Sequence, residues 1–408
     1  MTREKVPVAP ESVRAEAVVA TNSMISFKQF TSLYILVCLI TAGTLGFVVS
    51  ESQAAVLPED RADIMFHNYE GDGLTVNGPA VLVRKSFADT VSVRLNYYVD
   101  NITSASIDVV TTASEYKEFR EEISTGFDYL YESTLFNIGF TKSDENDYNA
   151  STFNFGLAQE VFGGLTTVSM GYAHGQDIIT MVTDLTFEED VARDQYTLGI
   201  SQVLTKDFIL SGSYEAISDQ GFLNNPYRSA RIDGGNPLTI NSATVPEVYP
   251  ETRRSHAFSI TGKHYLPIQG AVSGSFRYFT DTWGIRAQNI ELGYSQYLGS
   301  QSWVIDTHVR YYTQGKATFY QDSFAAPQRY MARDKELSTF NSYGAGASIS
   351  YKFLEDWYFL DKSSVNFSIE FLQFNYDDFT DLRANKSTYL EPFSFNAVVL
   401  QSFLSLWY

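Results

Sequence analysis

The sequence predicts an all-β fold: a transmembrane antiparallel up-and-down β-barrel of about 16 strands, with 14 as the alternative count. Three observations predict it. Runs of about ten residues with alternating apolar and polar side chains recur along the chain, the period of a strand with two unlike faces. Tight turns and long polar loops separate these runs in alternation. An apolar stretch near the N-terminus reads as an export signal.

Ser151 to Gln176 shows the unit most plainly. Phe153, Phe155 and Leu157 alternate with Asn154, Gly156 and Ala158, and Val168, Met170 and Tyr172 alternate with Thr167, Ser169 and Gly171. Phe162-Gly163-Gly164 lies between them, a glycine pair able to take the positive φ of a tight hairpin. One face is aromatic and apolar and the other small and polar, as lipid on one side and a wet lumen on the other require. A soluble antiparallel sandwich would show the same alternation in one hairpin, so recurrence and export decide.

Leu33 to about Val49 is the apolar stretch. It follows Lys28 and ends in Ser50-Glu51-Ser52-Gln53-Ala54, where Ser52 and Ala54 resemble a small-residue cleavage site. The division expected is an N-terminal extension and cleaved signal peptide over 1–54, with Met24 as the suspected start, and an outer-membrane barrel domain over 55–408. A retained helix is the alternative. Cys38 is the only cysteine and lies inside this run after Val37, unlike a lipoprotein site. A mature chain without cysteine excludes disulfides, thiolate metal sites and thiol nucleophiles. With 29 Lys and Arg against 48 Asp and Glu, a net charge of -19 argues against nucleic acid as a partner.

In order, the first strand is expected over Ala62 to Tyr69 and the second over Pro79 to Phe87, which turns at Ala88-Asp89 into Thr90 to Asp100. A loop from about Asn101 to Lys117 leads to a hairpin turning at Glu132-Ser133. The acidic connection Asp144 to Asp147 precedes the hairpin already described, and a second acidic loop, Asp177 to Asp190, follows it. A turn at Lys206-Asp207 is succeeded by the longest irregular stretch, Ser218 to about Glu251, whose four prolines forbid a spanning strand. Further turns fall near Pro267 to Gly270, at Trp283-Gly284 and at Gly299 to Ser302. A long loop from Gly315 to about Glu336, a connection from Leu354 to Lys362 and a loop from Asp377 to Glu391 precede a last strand, Phe393 to Tyr408. Its aromatic end resembles the signal by which barrel-assembly machinery recognises such proteins.

If the aromatic register faces lipid, the opposite register lines the lumen. It carries Arg94, Asp100, Asp128, Glu215, Lys263, Arg277, Glu291, Asp306, His308, Arg310, Lys352 and Glu370. Charges toward lipid would cost about 2–4 kcal/mol each at the midplane for Arg or Lys, so these line water or pair with one another. Arg277 and Glu291 are natural partners, at similar distances from the Trp283-Gly284 bend. Arg228, Arg231, Arg253, Arg254, Arg329 and Arg333 gather positive charge around the two longest loops, either for loop salt bridges or for an anionic partner such as lipopolysaccharide. The acidic clusters Asp144, Glu145, Asp147 and Glu188, Glu189, Asp190 lack the spacing of a calcium loop and read as solvated. His67, His174, His256, His264 and His308 stand in no nucleophile motif. No metal, cofactor or catalytic residue is therefore expected.

The segments LPEDRADIMFHNYEGDG (Leu57 to Gly73), SASIDVVTTASEY (Ser104 to Tyr116), SQVLTKDF (Ser201 to Phe208), DQGFLNNPYRSAR (Asp219 to Arg231), RYFTDTWGI (Arg277 to Ile285), VRYYTQ (Val309 to Gln314) and ARDKELSTF (Ala332 to Phe340) resemble the bacterial outer-membrane family of unknown function DUF3570. The resemblance covers nearly all of the mature chain. It implies an outer-membrane protein of a Gram-negative bacterium with no assigned catalytic residue, in contact with outer-membrane lipid, and it hints at a periplasmic redox protein as partner. The functional expectation is a channel for small solutes, favoured by the polar inward register. A barrel scaffold for a periplasmic or surface redox partner is the alternative, and a barrel enzyme a second one.

Overall fold

In the computed structural model, residues 56–104, 116–235, 243–299, 301–382 and 390–408 are described. The expected extension and signal segment fall outside them. Sixteen antiparallel strands close into one barrel. They are β1 (Arg61–Gly71), β2 (Leu74–Phe87), β3 (Val91–Ser104), β4 (Tyr116–Tyr131), β5 (Thr134–Asp144), β6 (Tyr148–Val161), β7 (Thr166–Met181), β8 (Asp184–Thr205), β9 (Phe208–Gly221), β12 (Thr252–Leu266), β13 (Gly270–Asp281), β14 (Arg286–Leu298), β15 (Trp303–Gln314), β16 (Phe340–Trp357), β17 (Leu360–Thr380) and β18 (Pro392–Trp407). Two short strands, β10 (Ser229–Ile232) and β11 (Ala243–Pro246), pair in a ribbon outside the wall. β1 closes the ring on β18, from Arg61 opposite Trp407 to Gly71 opposite Ala397. Closure leaves no strand edge, so every wall strand has hydrogen-bonding neighbours on both sides.

The count of 16 and the weak first strand are as expected; several boundaries are not. β2 begins at Leu74, five residues before Pro79. Its ladder to β1 is continuous, whereas its ladder to β3 skips Gly78 and Pro79, because proline has no N–H to give. The stretch expected as an acidic loop over Asp177 to Asp190 is mostly strand: β7 runs to Met181 and β8 starts at Asp184. A span needs only about 9–11 residues, and β8 has 22, so its acidic end projects beyond any hydrocarbon layer. The connection read over Leu354 to Lys362 shrinks to Tyr358 and Phe359, since β16 and β17 continue their pairing there. At the β6–β7 turn Gly163 and Gly164 take φ of 69° and 84°, as their spacing predicts.

Outward positions carry Leu95, Ile123, Phe127, Phe155, Leu198, Phe258, Leu292 and Phe367, all large and exposed. Such a belt around a whole molecule far exceeds the apolar patches soluble monomers expose. Aromatic pairs lie on the outside near each end, Tyr311 on Tyr343 at 5.1 Å and Trp303 on Tyr351 at 4.2 Å between centroids, the girdle arrangement of interfaces. The termini share one end with short turns only, called here the turn end; the long connections lie at the other, the loop end, together with the two-residue turns at 72–73 and 182–183.

Candidate functional site

All twelve residues expected in the lumen fall on the inward register, but they make no single ring. Between β1 and β5 the inner wall is packed. Arg61, Arg84 and Arg94 stand opposite one another on three successive strands, with Asp63 2.9 Å from Arg61. Asp128, on β4, accepts a hydrogen bond from Asn137 Nδ2 at 2.6 Å. From β9 to β17 the wall keeps contact with solvent. Glu215 accepts from Gln195 Nε2 and from Arg277 Nη2, both at 2.6 Å. Asp306 accepts from Ser295 and Ser348 hydroxyls, and His308 lies 3.6 Å from Glu370 with its side chain 35% exposed. Lys263, Glu291 and Lys352 are half-buried on the same side, and Arg310 is buried. The expected partnership of Arg277 with Glu291 is corrected: the register sets Arg277 opposite Asn289 and Glu291 opposite Arg310, and Arg277 instead reaches past β12 to Glu215.

At the loop end the mouth is filled by the described residues 222–235 and 243–251 together with the segment 315–339. Trp283, Tyr249 and Phe319 meet at 5.2–5.5 Å between centroids, inside an apolar core that includes inward residues of β1, β2, β3, β6, β7, β8 and β14 to β18. A 3-10 turn, Lys335–Leu337, lies wholly buried across the mouth. Asp334 accepts from Glu336 N to cap it. Lys335, 0% exposed, pairs with Asp72 at the β1–β2 turn and stands over the Phe395 ring of β18 at 5.6 Å. From β15, three strands along the wall from β18, Gln314 Nε2 donates to the carbonyls of Glu336 and Ser338. The ribbon joins in through a bridge from Ile232 to Phe324, and Val248, just beyond it, bridges to Met331. Glu247 accepts from Arg333 N at 2.7 Å; burial, with Asp334 close by, pushes its carboxyl up to about 7.

Four of the six loop arginines are internal fasteners. Arg228 lies 3.4 Å from Asp334, and Arg231 is buried. Arg253 pairs with Asp281 at 2.7 Å and covers Trp283. Arg333 pairs with Asp322 at 2.9 Å and donates to Thr380 O. Arg253 and Arg254 belong to β12 rather than to a loop. Arg254 and Arg329 alone of the six are exposed.

Sequence reasoning missed a buried polar cluster beneath the mouth. His67 Nε2 lies 2.7 Å from Asp100 Oδ1 and 2.9 Å from the Tyr98 hydroxyl. Arg120 donates to Asp100, Glu122 and Ser143. Arg120 and Glu122 share parity with Asp128, so the alternation carried the signal once the strand is extended back into the stretch read as loop. Beside them, Glu118, Glu145 and Asp147 bring carboxylate oxygens within 4.8 Å of one another, close enough to share a cation. Burial pushes the Glu145 carboxyl up to about 7.

Closed, even-stranded, apolar outside and polar within, this is a barrel of the outer-membrane type. The family model described as "Protein of unknown function (DUF3570)" matches residues 111–197 and 183–371, more than half of the 408 residues, and the chain belongs to that family. No curated protein matches it. Among solved structures it is similar to a "Bacterial polysaccharide outer membrane secretin", at 7% identity and a TM-score of 0.46 over 85% of this chain and 98% of that one. It is also similar to a Pseudomonas aeruginosa FadL homologue, at 9% identity and 0.42 over 88% and 93%. OccK2 (OpdF) of Pseudomonas aeruginosa follows at 9% and 0.39 over 87% and 100%.

Proposed function

We propose that this protein is an outer-membrane channel for small solutes whose outer mouth is shut by its own residues 222–235, 243–251 and 315–339. The observation that carries this reading is the asymmetry of the interior. Beneath the filled mouth, the inner wall from β9 to β17 presents solvent-accessible groups of both signs, among them Arg277, Asp306, His308 and Glu370. An interior meant only to be packed would bury such groups, as β1 to β5 do. In this reading the turn end faces the periplasm and the mouth faces outward, with both termini inside the envelope.

Planar-bilayer conductance tests it, comparing the intact chain with a variant in which residues 224–245 are replaced by a short Gly/Ser linker. The intact chain is expected to conduct in brief, rare openings and the variant steadily, with an ion selectivity that Arg277→Gln shifts toward cations. Silence in both overturns the channel reading.

A further inference from the structure

The trio Glu118, Glu145 and Asp147 comes from two places in the chain. Glu118 is the third residue of β4, while Glu145 and Asp147 lie in the connection from β5, the strand paired with β4, to β6. Three carboxylates this close repel one another, so something must compensate them. Arg120 is the cation at hand, and it is shared, donating to Asp100, Glu122 and Ser143 as well as facing Glu145. Glu145 Oε1 is left a contact of 3.6 Å with Arg120 Nε. The other oxygen, Glu145 Oε2, is buried without a hydrogen-bond partner, on a side chain only 7% exposed. Asp147 is better supplied: Oδ2 accepts from the Tyr227 hydroxyl at 2.6 Å, and its carboxyl is hydrogen-bonded to that of Glu118. A buried acceptor left open as Glu145 Oε2 is calls for a ligand that the protein's own donors do not supply.

We infer that Glu118, Glu145 and Asp147 form a calcium site at the rim of the barrel. The donor set is all carboxylate oxygen, which suits a hard cation and neither a thiophilic nor an imidazole-seeking metal. The three ligand atoms lie within 4.8 Å of one another, close enough to share one ion, and calcium takes oxygen ligands at about 2.3–2.6 Å in flexible geometry. A smaller ion such as magnesium demands a tighter octahedron. Tyr227 belongs to the segment that fills the mouth and bonds the second oxygen of Asp147, so one carboxylate serves both the ion and that segment. The site stands whether or not the barrel conducts.

Calcium titrated calorimetrically into the full chain, refolded in detergent and stripped with EDTA, tests the assignment. One saturable calcium per chain is expected, displaced poorly by magnesium. Glu145→Gln and Glu118→Gln are each expected to weaken it at least tenfold while the heat-modifiable gel mobility of the closed barrel persists. Asp144→Asn, on an exposed neighbour 47% accessible, is expected to leave binding unchanged. Hydrogen exchange in the unaltered chain gives a reading free of folding effects: calcium is expected to slow the amides of 145–148. Absence of saturable calcium binding, unchanged affinity in Glu145→Gln, or exchange indifferent to calcium overturns the inference, the carboxylates then being reconciled by shared protons.

Discussion

Lys335→Met tests what holds the mouth shut. Lys335 is fully buried, its ammonium paired with Asp72, whose side chain is 4% exposed. Methionine keeps most of the stem's volume and removes the charge, leaving the Asp72 carboxylate without that counter-charge in a desolvated place. Breaking one side of a buried pair costs about 3–5 kcal/mol, and each 1.4 kcal/mol is about tenfold. Because Lys335 sits in the 315–339 segment and Asp72 in the wall, the loss falls on docking of the segment rather than on barrel closure. Hydrogen exchange across 317–339 is therefore expected to accelerate between about 10²-fold and several thousandfold while exchange within β12 to β14 stays unchanged. Asp72→Asn in the same chain removes the stranded charge and is expected to restore most of the protection. Unaltered exchange in Lys335→Met, or a double variant no better than the single one, would refute the reasoning.

The mouth also carries a pH dependence. Burial holds the Glu247 carboxyl up at about 7, above the ordinary value of about 4.3, so its contribution to docking is complete below about pH 4.3 and is lost as pH rises through 7, an effect of up to about 3 kcal/mol. Protease access to 222–251 is expected to increase between pH 5 and pH 8, and Glu247→Gln is expected to flatten that rise; a profile that the variant leaves unchanged counts against it. The inside and outside of the wall are separable by charge. Leu292→Arg, at an outward position 59% exposed, is expected to destabilise the barrel in vesicles by about 2–4 kcal/mol in urea unfolding, and Ser275→Arg, on the inward register, by far less. Equal costs would contradict the assigned faces.

The barrel was legible because its strands obey a period of two. Phe153 to Leu157 and Val168 to Tyr172 announce which face meets lipid, and the same parity places Arg94, Glu215 and Glu370 inside without any knowledge of neighbours. Boundaries suffered where composition misled: the acidic run at Glu188 to Asp190 looks like a loop, yet pairs as strand above the belt. Partners were not legible, since which inward charges meet depends on strand stagger. Arg277 finds Glu215 across an intervening strand, not Glu291 beside it.

By itself the sequence determined a closed, even-stranded barrel with an apolar exterior, because alternation, turns and export are local properties of the chain. Only the tertiary structure decided that the mouth is filled. Lys335 and Asp72 are separated by 263 positions, and Glu118, Glu145 and Asp147 come together only when β4 and β5 pair. Irregular segments carry no period, so their place in space is fixed by burial and by the buried charges they must satisfy.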